Sequence, residues 1–360
     1  MRAEAVDAMR PFLQDRFANP SGAHAAARDA RRAVDEARDV VAESLGCQPG
    51  EVVFTSGGTE ADNHAVLGAV RQHGGVAVAT AVEHHAVLHP VEHVGGRLVA
   101  VDERGRVDLD ALAAVLNDDV TVVSVMLANN EVGTVQPFGA VASLVRERAP
   151  RAVLHTDAVQ GFPWLDVAAL TAVADCVSVS AHKFGGPKGV GALVVRTGTT
   201  LEPLILGGGQ ERDRRSGTHN VAGIVAMAAA MRATVAERAA TVEQVGAQRD
   251  RLVDGLIAAV PELYETVPRI DKVAGSAHVC IDGVESEALL FLLERGGVYA
   301  SVASSCASGA MEPSHVLAAM GVAKERSGGA LRLSLGYAST DADVDRALEV
   351  VPDAVRRLRR

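Results

Sequence analysis

Lysine is scarce in this chain, so a covalent amine has few candidates. Of the 35 Lys and Arg residues only four are lysines, at positions 183, 188, 272 and 324. Lys183 lies between the apolar run SVSA and the glycine-rich turn FGGPKG, where a strand is expected to end. An apolar, crowded position there disfavours the ammonium form and frees the amine for a Schiff base with an aldehyde cofactor. A solvated loop lysine is the open alternative, which Ser180 and His182 beside it disfavour.

A carboxylate that could act on such a cofactor follows another apolar run. In LHTDAVQ, Asp157 ends the run and Gln160 follows three residues later. A carboxylate at this position would pair with a protonated ring nitrogen and increase the electron-withdrawing power of a pyridoxal ring. The open alternative is a helix N-cap, which is a common role for Asp directly after a strand.

The segment EVVFTSGGTEADN has the features of a phosphate-binding turn. Gly57, Gly58 and Thr59 stand between a strand pattern and a helix pattern, so free backbone N–H groups and the helix dipole can hold a phosphate. The G-x-x-x-x-G-K-[ST] pattern is absent, which favours the single phosphate of pyridoxal 5′-phosphate over a nucleotide. A Gly-Gly turn with a Thr cap and no ligand is the alternative.

Histidines cluster in EHHAVLHPVEH, with His85, His89 and His93 at helical spacing. Pro90 interrupts that helix and no HExxH motif is present, so we predict no metal site. His84 stands at the end of a strand run, where its flat ring is better suited to stack on a cofactor.

One cysteine is a candidate nucleophile. Cys306 lies in SVASSCASGAMEPSHVL, among small residues typical of a mobile and accessible loop. Cys47, Cys176 and Cys280 lie in helix-end or strand contexts that suit packing. We therefore predict nucleophilic chemistry at Cys306, and a small loop residue without a chemical role is the alternative.

Alternating strand and helix patterns position these side chains. From about residue 50 to 200, seven β-branched runs alternate with helical patterns, which predicts an α/β fold with a mainly parallel seven-stranded sheet. The last run, GALVVR, is predicted to be an edge strand in the opposite direction. Helices are predicted over Arg28–Leu45 and from Val221 to about Val260. Beyond Pro261, strands are predicted at SAHVCIDG and ALRLSLG, and helices at ESEALLFLLERG, at SHVLAAMG and at the end of the chain. These elements indicate a smaller α+β unit with a loop around Cys306.

The change of pattern along the chain predicts two domains. A length of 360 residues is compatible with one large domain or two ordinary ones. We predict a large cofactor-binding domain over residues 12–237 and a small C-terminal domain over residues 238–360. Residues 1–11 are expected to pack on the small domain.

Composition restricts the partners and the compartment. A formal net charge of −10 disfavours a general nucleic-acid surface. No run approaches the ~18 apolar residues that span a bilayer, and the first residues lack the apolar core of a signal peptide. Cysteines without CxxC pairing exclude a disulfide framework and a structural zinc site. We predict a cytoplasmic protein that acts on a small molecule, with no nucleic-acid or membrane partner.

Eight motifs occur in the order, and close to the spacing, of one protein family. They are TSGGTEADN, EHHAVL, NNEVGTVQP, HTDAVQ, SAHKFGGPKGVGAL, GGGQERDRRSGT, SSCASGAMEPSHVL and LRLSLG. The chain resembles the NifS/IscS-like cysteine desulfurases of the aminotransferase class V family over nearly its whole length. This resemblance implies a fold-type I enzyme, with a large and a small domain, that depends on pyridoxal 5′-phosphate.

The resemblance also implies a role for each matching residue. Lys183 would carry the cofactor covalently and act in catalysis with Cys306 and His84. Around the ring it implies Asp157 on the nitrogen, Gln160 on the oxygen and His84 stacked over the face. The residues implied at the phosphate are Gly58, Thr59, Ser180, His182 and, across a homodimer, the partner subunit's Thr218. Asn130 and Arg332 would hold the substrate, with Arg332 on its α-carboxylate.

The implied reaction removes sulfur from L-cysteine. Lys183 moves the α-proton, the thiolate of Cys306 attacks the substrate sulfur, and L-alanine is released. The persulfide left on Cys306 would pass to an acceptor protein. Iron–sulfur cluster assembly, tRNA thiolation and a biosynthetic pathway are all open destinations for that sulfur.

Other functions stay open. A selenocysteine lyase, or another class V enzyme with the same cofactor, would share most of these motifs. A cofactor-bound but inactive partner subunit is suggested by the N-terminus, because relatives begin with a segment like YLDNAATTP and this chain starts at MRAEAVDAM. We expect either an upstream start or a substrate pocket that is opened to water, with impaired turnover.

Overall fold

The computed structural model describes residues 1–302 and 314–360, so the predicted loop around Cys306 lies outside the described residues. The chain divides into two compact units. The large unit comprises Met1–Val99, Leu109–Leu127 and Pro137–Arg238, and the small unit comprises Ala100–Asp108, Ala128–Gln136 and Ala239–Arg360.

A seven-stranded sheet organises the large unit, which confirms the predicted α/β fold. Its short runs rich in Val and Ala form strands because β-branched side chains fit a pleated surface that is covered on both faces. The strands are β1 (Val52–Thr55), β2 (Val76–Thr80), β3 (Arg97–Val99), β4 (Val120–Ser124), β5 (Val153–Asp157), β6 (Cys176–Ser180) and β7 (Gly191–Val195). Their order across the sheet is β1-β7-β6-β5-β4-β2-β3.

Strand β7 runs in the predicted direction but occupies a different place. It pairs antiparallel with both β1 and β6, and the edges of the sheet are β1 and β3. The prediction of an edge position was wrong because the glycines flanking this run do not stop its pairing. Gly191 pairs with Thr55 on one side and Ser180 on the other. A Cβ at Gly191 would lie 2.6 Å from the carbonyl oxygen of Val179, so this close approach requires glycine.

The helices of the large unit follow the predicted boundaries. Helix α2 (Ala25–Leu45) contains the predicted helix Arg28–Leu45 and ends where Gly46 adopts a left-handed φ of 61°. The predicted helix after residue 220 is α8 (Val221–Ala259), which contains the boundary between the units. The other helices are α1 (Ala3–Met9), α3 (Gly58–His73), α4 (His85–His93), α5 (Leu109–Val115), α6 (Phe138–Arg148) and α7 (Val167–Leu170). Within residues 1–302 and 314–360, no helix combines the length and apolarity that a bilayer crossing requires.

Helix α3 packs directly on the sheet. Its fully buried residues include Ala61, Ala65 and Ala69, which belong to one core with strand residues such as Val53 and Leu193. Side chains this small bring the helix axis close to the strands. The packing therefore fixes the N-terminus of α3, which begins three residues after β1 ends.

The small unit contains, within its described part, a three-stranded antiparallel sheet, the C-terminal part of α8 and four further α-helices. The strands are β8 (Leu263–Glu265), β9 (Ser276–Ile281) and β10 (Ala330–Ser334), in the order β10-β9-β8. The helices are α9 (Ser286–Arg295), α10 (His315–Ala319), α11 (Lys324–Ser327) and α12 (Asp341–Leu358). Leu256, Val279, Leu289 and Val351 belong to its core. The sequence predicted β9, β10 and the helices α9, α10 and α12, and it missed β8 and α11, which are only three and four residues long.

The two units resemble the predicted domains with differences in detail. The predicted limits, 12–237 and 238–360, stay a prediction, while the compact units separate between Arg238 and Ala239. The small unit also takes in two segments, 100–108 and 128–136. Residues 1–11 group with the large unit rather than the small one, and the guanidinium of Arg2 donates to the carbonyl of Phe184 and to Glu237.

Candidate active site

The carboxyl ends of β5 and β6 bring two predicted site residues together. Asp157 is the last residue of β5, and Lys183 ends the 3₁₀ turn Ala181–Lys183 that follows β6. These strands are parallel neighbours, so both residues lie at the same edge of the sheet. Burial raises the pKa of Asp157 to about 6, against the opposing effects of the Val159 N–H and the positive charge of Lys183. Lys183 is therefore close enough to act electrostatically on this buried carboxyl group.

The surroundings of Lys183 differ from the sequence expectation. Its side chain is exposed within the described chain rather than enclosed by apolar groups. The next residue, Phe184, is the one that is buried among apolar groups. Its ring centroid lies 4.7 Å from that of Phe162. Lys183 is therefore reached by solvent in the described chain while its charge still acts on the buried Asp157.

Two further buried carboxyl groups accompany Asp157, and the sequence analysis missed both. Asp62 of α3 and Glu83, which precedes α4, are 1% and 0% exposed. Burial raises the pKa of each, that of Glu83 to about 8, and the charge of Asp157 adds to both effects. The burial of Asp62 could have been predicted from its spacing, because it lies four and seven residues before Val66 and Ala69 and therefore on the same buried face of the helix.

A buried histidine links the three central strands at the level of this cluster. His155 Nδ1 lies 2.8 Å from Ser124 Oγ of β4, and His155 Nε2 lies 2.9 Å from Ser178 Oγ of β6. Asp62 Oδ1 lies 3.6 Å from the same Nε2. Burial lowers the pKa of His155 to about 3, so the ring is neutral. Alternate strand residues share a face, so this ladder supports the strand end that carries Asp157.

The N-terminus of α3 provides the donors of an anion site. The helix begins at Gly58, and its N-cap residue, Gly57, provides no side-chain cap. The first N–H groups, those of Gly58 and Thr59 among them, have no carbonyl partner inside the helix, and the helix dipole adds positive potential there. A Cβ on Gly58 would lie 2.8 Å from Val159 Cγ2, so glycine keeps this cradle open. Within the turn, the hydroxyl of Thr55 donates to the carbonyl oxygen of Gly57 at 2.9 Å, so a threonine-supported turn without a ligand stays the alternative.

Ser180 and His182 lie next to this helix end. A Cβ on Gly58 would lie 3.5 Å from the Cβ of Ser180, whose Oγ is 2.9 Å from His182 Nδ1. Burial and the charges of Lys183 and Lys188 lower the pKa of His182, which favours its neutral form. Gly58 and Ser180, two of the predicted phosphate ligands, are thus adjacent although Gly58 begins α3 and Ser180 ends β6.

His84 and Gln160 are half-buried. His84 is the N-cap of α4, and its Nδ1 accepts a hydrogen bond of 3.1 Å from the Ala86 N–H. Gln160 lies in the turn after β5. Further along α4, the rings of His85 and His89 are 4.9 Å apart. Among the residues that the structure describes, no group of three His, Cys, Asp or Glu side chains is arranged to hold a metal ion.

Thr218 lies in the loop between β7 and α8. Its side chain is exposed. Together with Ser56 and Arg215 it lines a cavity of about 140 Å³ beside the turn that precedes α3. This threonine is therefore available to a ligand or to a second copy of the chain.

Asn130 and Arg332 meet within the small unit. Arg332, on β10, donates from Nη1 to the carbonyl oxygen of Asn130 at 2.9 Å. Its Nε is buried and has no hydrogen-bond partner among the described residues. Burial lowers the pKa of Arg332 and the charge of Glu131 opposes that effect, although a guanidinium stays protonated in proteins. A guanidinium with an unsatisfied donor is suited to a carboxylate ligand.

The residues on either side of segment 303–313 connect to this pair. Ser301 and Arg332 exchange backbone hydrogen bonds of 3.1 and 2.7 Å. Ser314 Oγ donates to Glu131 Oε2, on the residue next to Asn130. Cys306 belongs to the intervening segment and lies outside the described residues, so its predicted role rests on the sequence.

The three described cysteines have unreactive environments. Cys47, Cys176 and Cys280 form no disulfide. Burial raises the pKa of each thiol, that of Cys47 to about 11. These thiols are therefore protonated at neutral pH and are poor nucleophiles.

Comparisons with known proteins agree over the full length. The aminotransferase class-V family model matches residues 1–347. The chain is 41% identical to the cysteine desulfurase IscS of Methanosarcina thermophila, covering 100% of this chain and 90% of that protein. It is 43% identical to an IscS-like cysteine desulfurase of Mycobacterium tuberculosis, covering 100% and 95%. The solved structure of a NifS-like protein is 34% identical with a TM-score of 0.92, covering 99% and 96%.

These matches confirm the resemblance that the sequence motifs indicated. The sequence identity of 34–43% extends over 99–100% of this chain and 90–96% of the three proteins, and the fold is shared with the solved structure. The chain belongs to the aminotransferase class-V family, within which it is a member of the cysteine desulfurases.

Proposed function

We propose that the chain is a cysteine desulfurase that uses pyridoxal 5′-phosphate to take sulfur from L-cysteine, releasing L-alanine. The observation that carries this proposal is the arrangement at one sheet edge of the large unit, where Lys183 follows β6 beside the buried Asp157 at the end of β5. An amine and a carboxylate so placed, in a member of the cysteine desulfurases, are the pair that this chemistry requires.

The residues present fit this cofactor. The uncapped N-terminus of α3 offers N–H groups to a phosphate, and Gly58 leaves room that a Cβ would fill. Gly58, Thr59, Ser180 and His182 would hold the phosphate, joined by the partner subunit's Thr218. Asp157 would bind the ring nitrogen, Gln160 the ring oxygen, and His84 would lie over the ring.

The chemistry supplied by the bound cofactor is an aldehyde that reacts with amines and a ring that withdraws electrons from the substrate α-carbon. Lys183 provides the amine for covalent attachment and then serves as the base that moves the α-proton. Asp157 holds the proton on the ring nitrogen. The neutral His155 ladder keeps the strand end of Asp157 in place.

Substrate binding falls to Arg332 and Asn130. The Arg332 guanidinium binds the α-carboxylate of L-cysteine, using the buried Nε that has no partner in the described chain. Its bond to the Asn130 carbonyl fixes the plane of the guanidinium. The bidentate geometry orients the substrate before reaction.

Cys306 is the proposed sulfur acceptor. Its thiolate attacks the sulfur of L-cysteine, forming an S–S bond as the Cβ–S bond breaks. The electron pair of the broken bond stays with the carbon fragment, which takes up protons and leaves as L-alanine. No oxidant is needed, because the products are L-alanine and a persulfide on Cys306. Support comes from the raised thiol pKa values of Cys47, Cys176 and Cys280, which disfavour these three as nucleophiles.

We further infer a homodimer, because the partner subunit's Thr218 would complete each phosphate site. The persulfide would then pass to an acceptor protein, and iron–sulfur cluster assembly is one destination compatible with this chemistry. A thiolate nucleophile needs reducing conditions, so we place the reaction in the cytoplasm.

The test supplies L-cysteine and a thiol reductant to the purified, cofactor-loaded protein and measures L-alanine and sulfide. We expect turnover in the wild type and in the control Cys47→Ala, and its loss in Cys306→Ala. Turnover that survives Cys306→Ala would contradict the assigned nucleophile. A strong preference for L-selenocysteine would indicate a lyase, and bound cofactor without any product would indicate an inactive partner subunit.

A further inference from the structure

The loop that carries Thr218 contains a strained backbone. Glu211, Arg212 and Asp213 have φ values of 51°, 57° and 64°, and none of them is glycine. Three consecutive non-glycine residues in the left-handed region persist only where surrounding contacts over-determine the conformation. The contacts that impose this backbone conformation therefore indicate which residue of the loop is being positioned.

Glu211 supplies most of those contacts. Its buried carboxylate accepts two hydrogen bonds from the Arg38 guanidinium of α2, at 2.6 and 2.8 Å. The backbone N–H of Phe54, on β1, donates to it at 2.9 Å, and His219 Nε2 lies 2.6 Å from its Oε1. A buried carboxylate so fully paired stays ionised and rigidly placed.

A second ion pair ties the same loop to the phosphate turn. Arg215 donates to both carboxylate oxygens of Glu60, at 2.8 and 3.1 Å. Glu60 lies in the first turn of α3, and its Oε2 also accepts the Ser56 N–H at 2.8 Å. Thr218 thus lies between Arg215 and His219, each of which is held by a carboxylate.

We propose that Arg38, Glu60, Glu211, Arg215 and His219 form a clamp of positioning residues that holds Thr218 in the orientation that binds the cofactor phosphate. The inference rests on the proposed function, because Thr218 has a phosphate to bind only if the cofactor is present. The clamp acts through Thr218, with which Glu211, Arg215 and His219 line one cavity. The clamp also connects the turn before α3, which is the proposed phosphate turn, to the loop that carries Thr218 in the same chain.

A double-mutant cycle tests this coupling on the full-length protein. Glu211→Gln keeps the shape of the side chain and removes its charge, and Thr218→Val removes the hydroxyl donor. The dissociation constant of pyridoxal 5′-phosphate is measured by fluorescence titration for the wild type, both single variants and the double variant. We expect each single variant to bind about tenfold more weakly, and the double variant to bind no more weakly than Thr218→Val alone.

Independent effects would overturn the inference. If the two losses multiply in the double variant, Glu211 does not act through Thr218. If the wild type fails to bind the cofactor, the proposed function fails, which is a distinguishable result. Unchanged cofactor binding in Glu211→Gln would also contradict the clamp.

A second variant covers the case in which Glu211→Gln does not fold, since breaking a buried ion pair is destabilising. Arg215→Lys keeps the charge but loses the two-point contact with Glu60, and the same cycle with Thr218→Val applies. Asp254→Asn, which breaks an exposed ion pair with Arg269 in the small unit, is the matched control and should bind the cofactor like the wild type. Circular dichroism and thermal unfolding verify that each variant is folded.

Discussion

Three buried carboxyl groups lie in surroundings that favour different protonation states. They are those of Asp157, Asp62 and Glu83. All three carboxyls are buried, and burial raises the pKa of each. Like charges enclosed together cannot all ionise. The charge of Lys183 opposes the effect of burial at Asp157, whereas the charge of Asp157 adds to it at Asp62 and Glu83, so the surroundings favour the carboxylate at Asp157 and the protonated form at the other two.

Asp157→Asn should therefore be far more damaging than Asp62→Asn. Without the carboxylate, the proton on the cofactor ring nitrogen is lost, and L-alanine formation should fall by about 100-fold, the lower end of what a positioned proton contributes. Burial favours the protonated, neutral form of Asp62, so Asp62→Asn keeps this position neutral and should lower the rate much less. Steady-state rates with L-cysteine compare the two, and equal losses would contradict the division of charge.

Glu83 gives a pH-dependent prediction. Its pKa is 4.5 when unperturbed and about 8 in the folded chain, so the folded state binds the extra proton between these values. Wild-type stability should then fall as pH rises through this range, by up to about 1.4 kcal/mol per pH unit from this group.

Glu83→Gln removes this titration while its amide oxygen can still accept from Thr80 Oγ1 and the Met126 N–H. Relative to the wild type, the variant should become more stable as pH rises from 5 toward about 8. Urea unfolding of the cofactor-free protein at several pH values measures the difference. A constant difference across the range would show that Glu83 is not protonated in the folded state.

Helix α3 is the element that connects the sheet to the proposed phosphate site. Its alanines bring it close to the strands, and Gly58 lets its first turn pass Val159. The same helix contributes Asp62 to the carboxyl cluster and Glu60 to the clamp. A shift of its N-terminus therefore changes both the phosphate donors and the surroundings of Asp157.

Gly58→Ala should distort this turn, because the new Cβ would meet Val159 Cγ2 at 2.8 Å. We expect a stability loss of about 1–3 kcal/mol and weaker binding of pyridoxal 5′-phosphate. Gly139→Ala, in α6 with open space around the added methyl group, is the control and should stabilise by about 0.5–1 kcal/mol. Thermal unfolding and cofactor titration test both, and a Gly58→Ala variant indistinguishable from the wild type would refute a tight cradle.

Elements were predictable from the sequence where local chemistry decides them. The seven β-branched runs became the seven strands of the large unit, and Gly46 ended α2 as expected. Pairing between distant segments was not predictable, which is why β7 was misplaced and the two segments 100–108 and 128–136 of the small unit were missed.

In the candidate active site too, local sequence was predictive and contacts between distant segments were not. Asp157, Lys183 and the glycine turn follow strands and carry visible motifs, so their positions could be predicted. Asp62 and His155 become notable only through burial against other elements. The exposure of Lys183 depends on the direction of a turn, which periodicity does not specify.

At the scale of the whole molecule, we propose that two copies share each site. Large apolar side chains on the surface of the large unit include Phe17 and Leu206, which are 81% and 79% exposed. Single exposed apolar side chains are normal on a protein surface, so a second copy is inferred from Thr218 and not from these two residues. A formal charge of −10 leaves no general attraction to nucleic acid that would compete for this surface.

Mixed dimers test whether each site uses Thr218 of the partner subunit. A dimer of Lys183→Ala with Thr218→Val would contain one fully wild-type site, made of Lys183 from one copy and Thr218 from the other. Each variant alone should be impaired, and co-refolding the two should restore L-alanine formation toward half the wild-type rate per dimer. If mixing restores nothing although mixed dimers are verified by native mass spectrometry, each site uses its own threonine.

The central claim is that sulfur from L-cysteine passes to Cys306 through chemistry based on Lys183. Mass spectrometry of peptides after a brief incubation of the loaded protein with L-cysteine tests it most directly. The account predicts one added sulfur atom on the peptide that contains Cys306, absent when Lys183 is replaced by Ala. An unmodified Cys306 peptide in a protein that still produces L-alanine, or added sulfur on Cys47 instead, would contradict it.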